Sequence, residues 1–171
     1  MKTIPRLRWS TISIQQLYLI AYAPSSPHRL YDLAKLAFSM SIVSAFIVVK
    51  PVGVAAQTGV PEVFKLAYRL DRRFLVFPRL QDLKEMVKMN DALFIVHNVD
   101  DAPDICEINF KDRENIGVVV QAGETPFTKE DLVMGRIVKI SEMDVYRAPN
   151  AVADAAIALV KLHRLFKNIP C

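Results

Sequence analysis

The run Ile42–Val49, IVSAFIVV, sets the tightest limit on the fold. It is rich in β-branched residues and shows no polar alternation. A strand with one wet face would alternate, whereas a run apolar on both faces fits a parallel strand covered on each side. Parallel strands need long crossover connections, usually helices. The remainder of the chain must therefore supply helices between strands.

The order of elements meets that requirement. Leu17–Ala23 (LYLIAYA) reads as a first strand that ends at Pro24-Ser25-Ser26-Pro27. Ser25 or Ser26 before Pro27 suits a helix entry. The helix expected over His28–Met40 spaces Leu30, Leu33, Ala34, Ala37 and Phe38 on one face. Strand two is Ile42–Val49. Lys50–Thr58 is expected to turn, with Pro51 and Gly53, and Pro61 to open a helix reaching about Leu70. Phe74–Phe77, stopped by Pro78, is strand three. Gln81–Met89 reads as a polar helix, Ala92–Val96 as strand four, and Val99–Asn115 as acidic and irregular. Alternation of this kind predicts an α/β fold: one domain, a mostly parallel sheet, helices on both faces.

Length and composition agree with one folded domain over residues 14–171. The chain has 171 residues, 52% of them hydrophobic, enough to bury a sizeable core. Its net charge of +4 permits an anionic partner such as RNA without requiring one. No apolar run approaches a membrane span. Residues 1–13, with Lys2, Arg6 and Arg8, read as a basic arm and not as a signal peptide. A cytoplasmic location follows as the expectation. Cys106 and Cys171 form no CxxC pattern, and both are expected to be reduced. His28, His97 and His163 lack metal-ligand spacing, so no metal site is expected.

Most of the functional information lies in Val118–Phe166. An apolar run at Val118–Val120 ends in a polar turn at Gly123-Glu124. A second β-like run covers Arg136–Ile140. After the loop Ser141–Pro149, an Ala-rich helix is expected over Ala151–Phe166. Asn150 stands at its N-cap position. Val152, Ala155, Ala156, Leu159, Leu162 and Phe166 count to one side, and Asp154, Lys161, Arg164 and Asn168 near the other. Ile157, Ala158 and Val160 widen the apolar stripe. Either a second copy of the chain or deep insertion of the helix explains that width. Two strand ends and a helix start thus gather small and polar groups, as a ligand crevice at the carboxyl edge of a sheet requires.

These residues resemble the C-terminal half of SpoU-type methyltransferases of the SPOUT superfamily. The family's middle motif, a strand and a Gly-x-Glu-like turn, is matched by Val119–Thr128, with Gly123 and Glu124 carried over. Its last motif, a strand, a Ser-x-Asn loop and a small-residue helix, is matched by Ile140–Met143, Ala148-Pro149-Asn150 and the following helix, with Ala148 in place of the serine. The Asn and catalytic Arg of the family's first helix align with Arg29 and Lys35. Lys35 keeps the charge but not the bidentate fork. The resemblance implies a deep trefoil knot near the C-terminus, S-adenosylmethionine as cofactor, RNA as substrate and a homodimer.

On that resemblance, Glu124, Asn150 and Lys35 are the candidate catalytic residues. His97, Asn98, Ala122, Gly123, Ile140, Met143 and Ala148 are the candidate cofactor contacts. From the residues alone, Gly123 is either a turn glycine or a point of close backbone approach to a ligand. His97 is either a ligand contact or a packing histidine. Tyr146 and Arg147 belong to the same loop, where Arg147 suits a carboxylate or phosphate. Arg69, Arg72, Arg73 and Arg79 are candidate phosphate contacts.

The whole chain also resembles uncharacterised archaeal proteins related to SpoU methylases, some of them labelled RecB-like nucleases. That chemistry needs a Pro-Asp followed by Asp/Glu-x-Lys to hold a divalent metal. Pro103-Asp104 is followed by Glu107-Ile108-Asn109, which lacks the lysine, and Asp82-Leu83-Lys84 precedes it. A SPOUT methyltransferase is therefore the leading expectation. A non-catalytic RNA- or cofactor-binding module is its competitor, and a nuclease the third reading.

Overall fold

The computed structural model describes residues 16–97, 99, 101–110, 114–141 and 150–171. The expected basic arm (1–13) lies outside them. So do Asn98, Met143, Tyr146, Arg147 and Ala148, and with residues 142–149 most of the loop on which the expected knot depends.

Six strands form one parallel sheet: β1 (Gln16–Tyr22), β2 (Ala45–Val49), β3 (Phe74–Phe77), β4 (Asp91–Ile95), β5 (Asn115–Gln121) and β6 (Arg136–Val138). Their spatial order is β3-β2-β1-β5-β4-β6. β1 and β5 are the centre, with Ile20 beside Ile47 on one flank and Val119 on the other. The complete burial of Leu17–Tyr22 and Ile116–Val120 follows from this position.

Alternate residues of each central strand feed two cores. Leu17, Leu19, Ala21, Phe46 and Val48 face helices α1 (Pro27–Ser39), α2 (Val60–Arg69) and α5 (Ala151–Phe166). Tyr18, Ile20, Tyr22, Ile47 and Val49 face α3 (Asp82–Met86) and α4 (Lys129–Leu132). Helices cover both faces, as the sequence predicts.

Several boundaries differ from expectation for local reasons. β2 begins at Ala45 because Met40–Ser44 forms a turn. Arg72 Nη2 donates to the carbonyls of Ala37, Met40 and Val43 at 3.4, 3.1 and 2.8 Å, and Ser44 Oγ accepts from the Leu17 N–H. Overlapping the end of the expected turn Lys50–Thr58, Ala55–Gly59 is a π-helical turn that continues into α2. β5 is longer than the apolar run, since Asn115–Gly117 pairs with Gln16–Tyr18. β6 ends at Val138.

The cysteines correct the expectation of free thiols. Cys106 and Cys171 are disulfide-bonded, with Cα atoms 5.9 Å apart across 65 residues. The bridge ties the C-terminus to the 3-10 turn Ile105–Glu107.

α5 also corrects its expected facing. Its buried residues are Ala151, Asp154, Ala155, Ala158, Leu159, Lys161 and Leu162. Asp154 and Lys161 are thus on the buried stripe, not the polar side. The helix packs against α1, β5 and the 3-10 turn, which accounts for the wide stripe through insertion. Val160 stays half exposed.

Candidate functional site

At the carboxyl edge, the ends of β4 and β5 and the start of α5 enclose a crevice of about 310 Å³. Such an edge is where open α/β sheets bind ligands. Ile95 and Val96 supply one wall, Ala151 another; His97, Gly123, Glu124, Gln121, Arg29 and Asp154 supply the polar groups. Of the residues singled out from sequence, the fold therefore brings Arg29, His97, Gly123 and Glu124 together.

The turn after β5 is shaped by close backbone contact. A Cβ on Gly123 would stand 2.1 Å from the Ala23 carbonyl oxygen and 3.2 Å from the Ser25 nitrogen. The close approach that demands glycine is made to the chain's own β1–α1 connection. Ala122 is fully buried and donates its N–H to the Tyr22 carbonyl. Its own carbonyl accepts from Arg29 Nη1 at 3.2 Å. Arg29, in the first turn of α1, is thereby anchored at the crevice. Gln121 Nε2 donates to the Gly123 carbonyl at 3.2 Å, closing the same turn.

The other wall is the start of α5. Asn150 accepts from the N–H groups of Val152 and Ala153, so it is the N-cap its position predicts. Ile140 is buried in the core cluster that includes Leu159. Lys35 is elsewhere: it is exposed on α1, 2.9 Å from Asp32, and does not line the crevice. That ion pair raises its pKa.

Asp154 is the residue that sequence reading assigned to the wrong face. One of its oxygens is 2.8 Å from His97 Nε2, and the side chains are 7% and 17% exposed. Burial pushes the Asp154 carboxyl up, against the opposing pull of His97. Its Oδ1 is buried and has no hydrogen-bond partner among the described residues. The signal available in the sequence was spacing: Asp154 stands three residues from Ala151 and four from Ala158, inside the apolar stripe.

A second hollow, of about 600 Å³, adjoins the first across the same turn. Thr125 lines it together with Lys50, Val76 and Phe77. Lys50 has a left-handed backbone (φ 51°) at the end of β2, and its Nζ donates to the Tyr22 hydroxyl at 3.2 Å. Tyr22 in turn donates to buried Asp131 at 2.6 Å.

Of the nuclease motif residues, Asp104 and Glu107 share one capping box, in which the Asp104 N–H donates to Glu107 Oε2 at 3.2 Å, whereas the Asp82-Leu83-Lys84 segment does not join them. Asp104 caps the 3-10 turn, accepting from the Cys106 N–H at 2.8 Å and the Ser141 N–H at 2.8 Å. It also accepts from Lys161 Nζ at 3.2 Å. Leu83, between Asp82 and Lys84, belongs to the core on the opposite face of the sheet from Ile105. Asp82 pairs with Arg79 at 2.7 Å. No three candidate metal ligands cluster among the described residues.

A family model described as RecB-family nuclease (DUF2122) matches residues 53–161. The chain belongs to that family. A relative from Methanocaldococcus jannaschii, named "Putative type II restriction enzyme MjaORF1200P", is 26% identical over 154 residues, covering 88% of this chain and 99% of its own. Solved structures that this chain resembles carry a different description. A probable methyltransferase of Bordetella pertussis Tohama I superposes with a TM-score of 0.69 at 17% identity, over 89% of this chain and 95% of that one. The SpoU methyltransferase AviRb of Streptomyces viridochromogenes, in complex with AdoMet, gives 0.71 at 11% identity, over 92% of this chain and 63% of that one. The family's fold in this chain is thus the fold of SpoU-type methyltransferases.

Proposed function

We propose that this protein is a SPOUT-type methyltransferase that uses S-adenosylmethionine, acts on RNA and works as a homodimer. The observation that carries the reading is the crevice at the ends of β4 and β5, closed by α5, on a SpoU-type fold. Its residues fit the cofactor in kind. Ile95, Val96 and Ala151 offer apolar walls for a purine. The chain around Gly123 offers backbone polar groups at a point where no side chain intervenes. Arg29 offers a cation for a carboxylate, and the buried Asp154 Oδ1 offers an unsatisfied acceptor.

When bound, S-adenosylmethionine supplies a methyl group activated on a sulfonium centre. The chain's own part is to hold donor and acceptor close and in line, which accounts for much of the rate in such displacements. Gly123–Thr125 stands between the two hollows, so a donor on one side and a nucleotide on the other share this turn. Glu124, exposed at the rim, orients the acceptor hydroxyl or amine. Asn150 fixes the start of α5 and with it the crevice wall. Ala122 and Ile140 act from behind, as buried supports. Lys35 contributes positive charge on α1 outside the crevice. For RNA, α2 presents Tyr68, 89% exposed, in a hollow with Tyr31, Lys65 and Arg69. Aromatic faces and cations together suit single-stranded nucleic acid.

The test is transfer of labelled methyl from S-adenosylmethionine to cellular RNA by the purified protein. Incorporation that falls at least tenfold with Glu124→Ala supports the enzyme. Cofactor binding without transfer to any RNA favours the non-catalytic module. Cation-dependent cleavage of nucleic acid without methyl incorporation favours the nuclease that the family's description states.

A further inference from the structure

Three buried polar side-chain atoms lack a partner among the described residues: Asn115 Oδ1, Arg136 Nε and Asp154 Oδ1. The first two belong to residues at the amino ends of β5 and β6. Only Asp154 lines the crevice. A carboxylate oxygen left buried and unpaired costs free energy. The surrounding stripe is Ala151, Ala155 and Ala158, so packing alone gives no reason for an acid there. Among the described residues the side chain that meets Asp154 is His97, and it meets the other oxygen. Lys161, seven residues along the helix and so about 10 Å away by helical rise, is engaged by Asp104.

We infer that Asp154, held in place by His97, reads the ligand of this crevice, and that its Oδ1 accepts a hydrogen bond from an O–H or N–H donor of a bound nucleoside. The inference rests on the reading that the crevice takes an adenosyl group. A ligand donor is favoured over a bound cation because no second or third carboxylate joins Asp154 to complete a ligand set among the described residues. His97 has a positioning role: its ring nitrogen fixes Oδ2, which leaves Oδ1 aimed at the ligand. An unsatisfied polar group retained in a cleft is a functional-site candidate on physical grounds.

Calorimetric titration with S-adenosylmethionine, S-adenosylhomocysteine and adenosine tests this, run on the wild type, Asp154→Asn and His97→Gln, with a thermal melt of each free protein. Asp154→Asn keeps the shape and the contact to His97 but removes the charged acceptor. Its affinity for S-adenosylhomocysteine is expected to fall tenfold or more, the scale of one charge-assisted hydrogen bond. The melting temperature of the free protein is expected to hold or rise. His97→Gln is expected to weaken binding less, since an amide still anchors Oδ2. Unchanged affinity in Asp154→Asn with a lower melting temperature overturns the inference and makes the pair structural. A wild type that binds adenosine but neither cofactor form sinks the methyl-donor reading instead, and the adenosine series then decides the role of Asp154. A wild type that binds none of the three overturns both.

Discussion

The Gly123 backbone lies against Ala23 so closely that a Cβ would come within 2.1 Å of the Ala23 carbonyl oxygen. The obstructing atoms are backbone, and they belong to a connection anchored by Ala23 N–H to the Val49 carbonyl. Neither side can move aside cheaply. Gly123→Ala is expected to destabilise the fold by about 2 kcal/mol or more, in the range of overpacked cores. Urea denaturation measures it, and a loss within about 0.5 kcal/mol contradicts the contact. The same clash makes Gly123 a poor probe of ligand binding, because a substitution there distorts the crevice through the chain itself.

Asp104 and Lys161 form the buried ion pair of the α5 face, with side chains 10% exposed each. Burial pushes Asp104 up, but hydrogen bonds from Ser141, Cys106 and Lys161 outweigh it and hold the carboxyl at about 2. A depressed folded pKa contributes stability that is complete above the unfolded value near 3.9 and is lost as pH falls towards about 2. Its size is about 2 kcal/mol. Asp104→Ala, which leaves Lys161 buried beside an empty position, is expected to cost about 3 kcal/mol. The variant should also lose part of the acid sensitivity between pH 4 and about 2. Denaturant titrations of both proteins across that interval check the sign; an unchanged slope contradicts it.

The Cys106–Cys171 bridge closes a loop of 65 residues. In the chain-entropy account such a loop is worth up to about 4 kcal/mol. Cys171→Ser is expected to lower the melting temperature by several degrees. A reductant should do the same to the wild type and nothing to the variant. Equal melting temperatures for all three contradict the bridge.

The sheet was legible in the sequence because burial on both faces removes polar alternation. Ile42–Val49 read as a parallel strand covered on both faces and Val118–Val120 as an apolar strand, and they fall on β2 and within β5. Helix α5 was legible to the residue, through Asn150 and its apolar spacing. Its facing was not. Asp154 and Lys161 look like solvated residues until Asp104 and His97, from loops after β4, are brought against them. Contacts of that kind depend on tertiary placement, which spacing along one helix does not encode. The disulfide was hidden for the same reason: two cysteines 65 positions apart carry no pattern. The site followed the same division. Glu124 and His97 could be picked from strand ends. The part played by Arg29 appears only where β5 delivers the Ala122 carbonyl to it.

The central claim is that the crevice between β4, β5 and α5 takes S-adenosylmethionine. The most direct test is calorimetric titration of the wild-type protein with that compound, paired with a thermal-shift measurement. The account predicts one site per chain, a dissociation constant on the order of micromolar, and a rise in melting temperature with concentration. No heat and no thermal shift with the cofactor at millimolar concentration would contradict it.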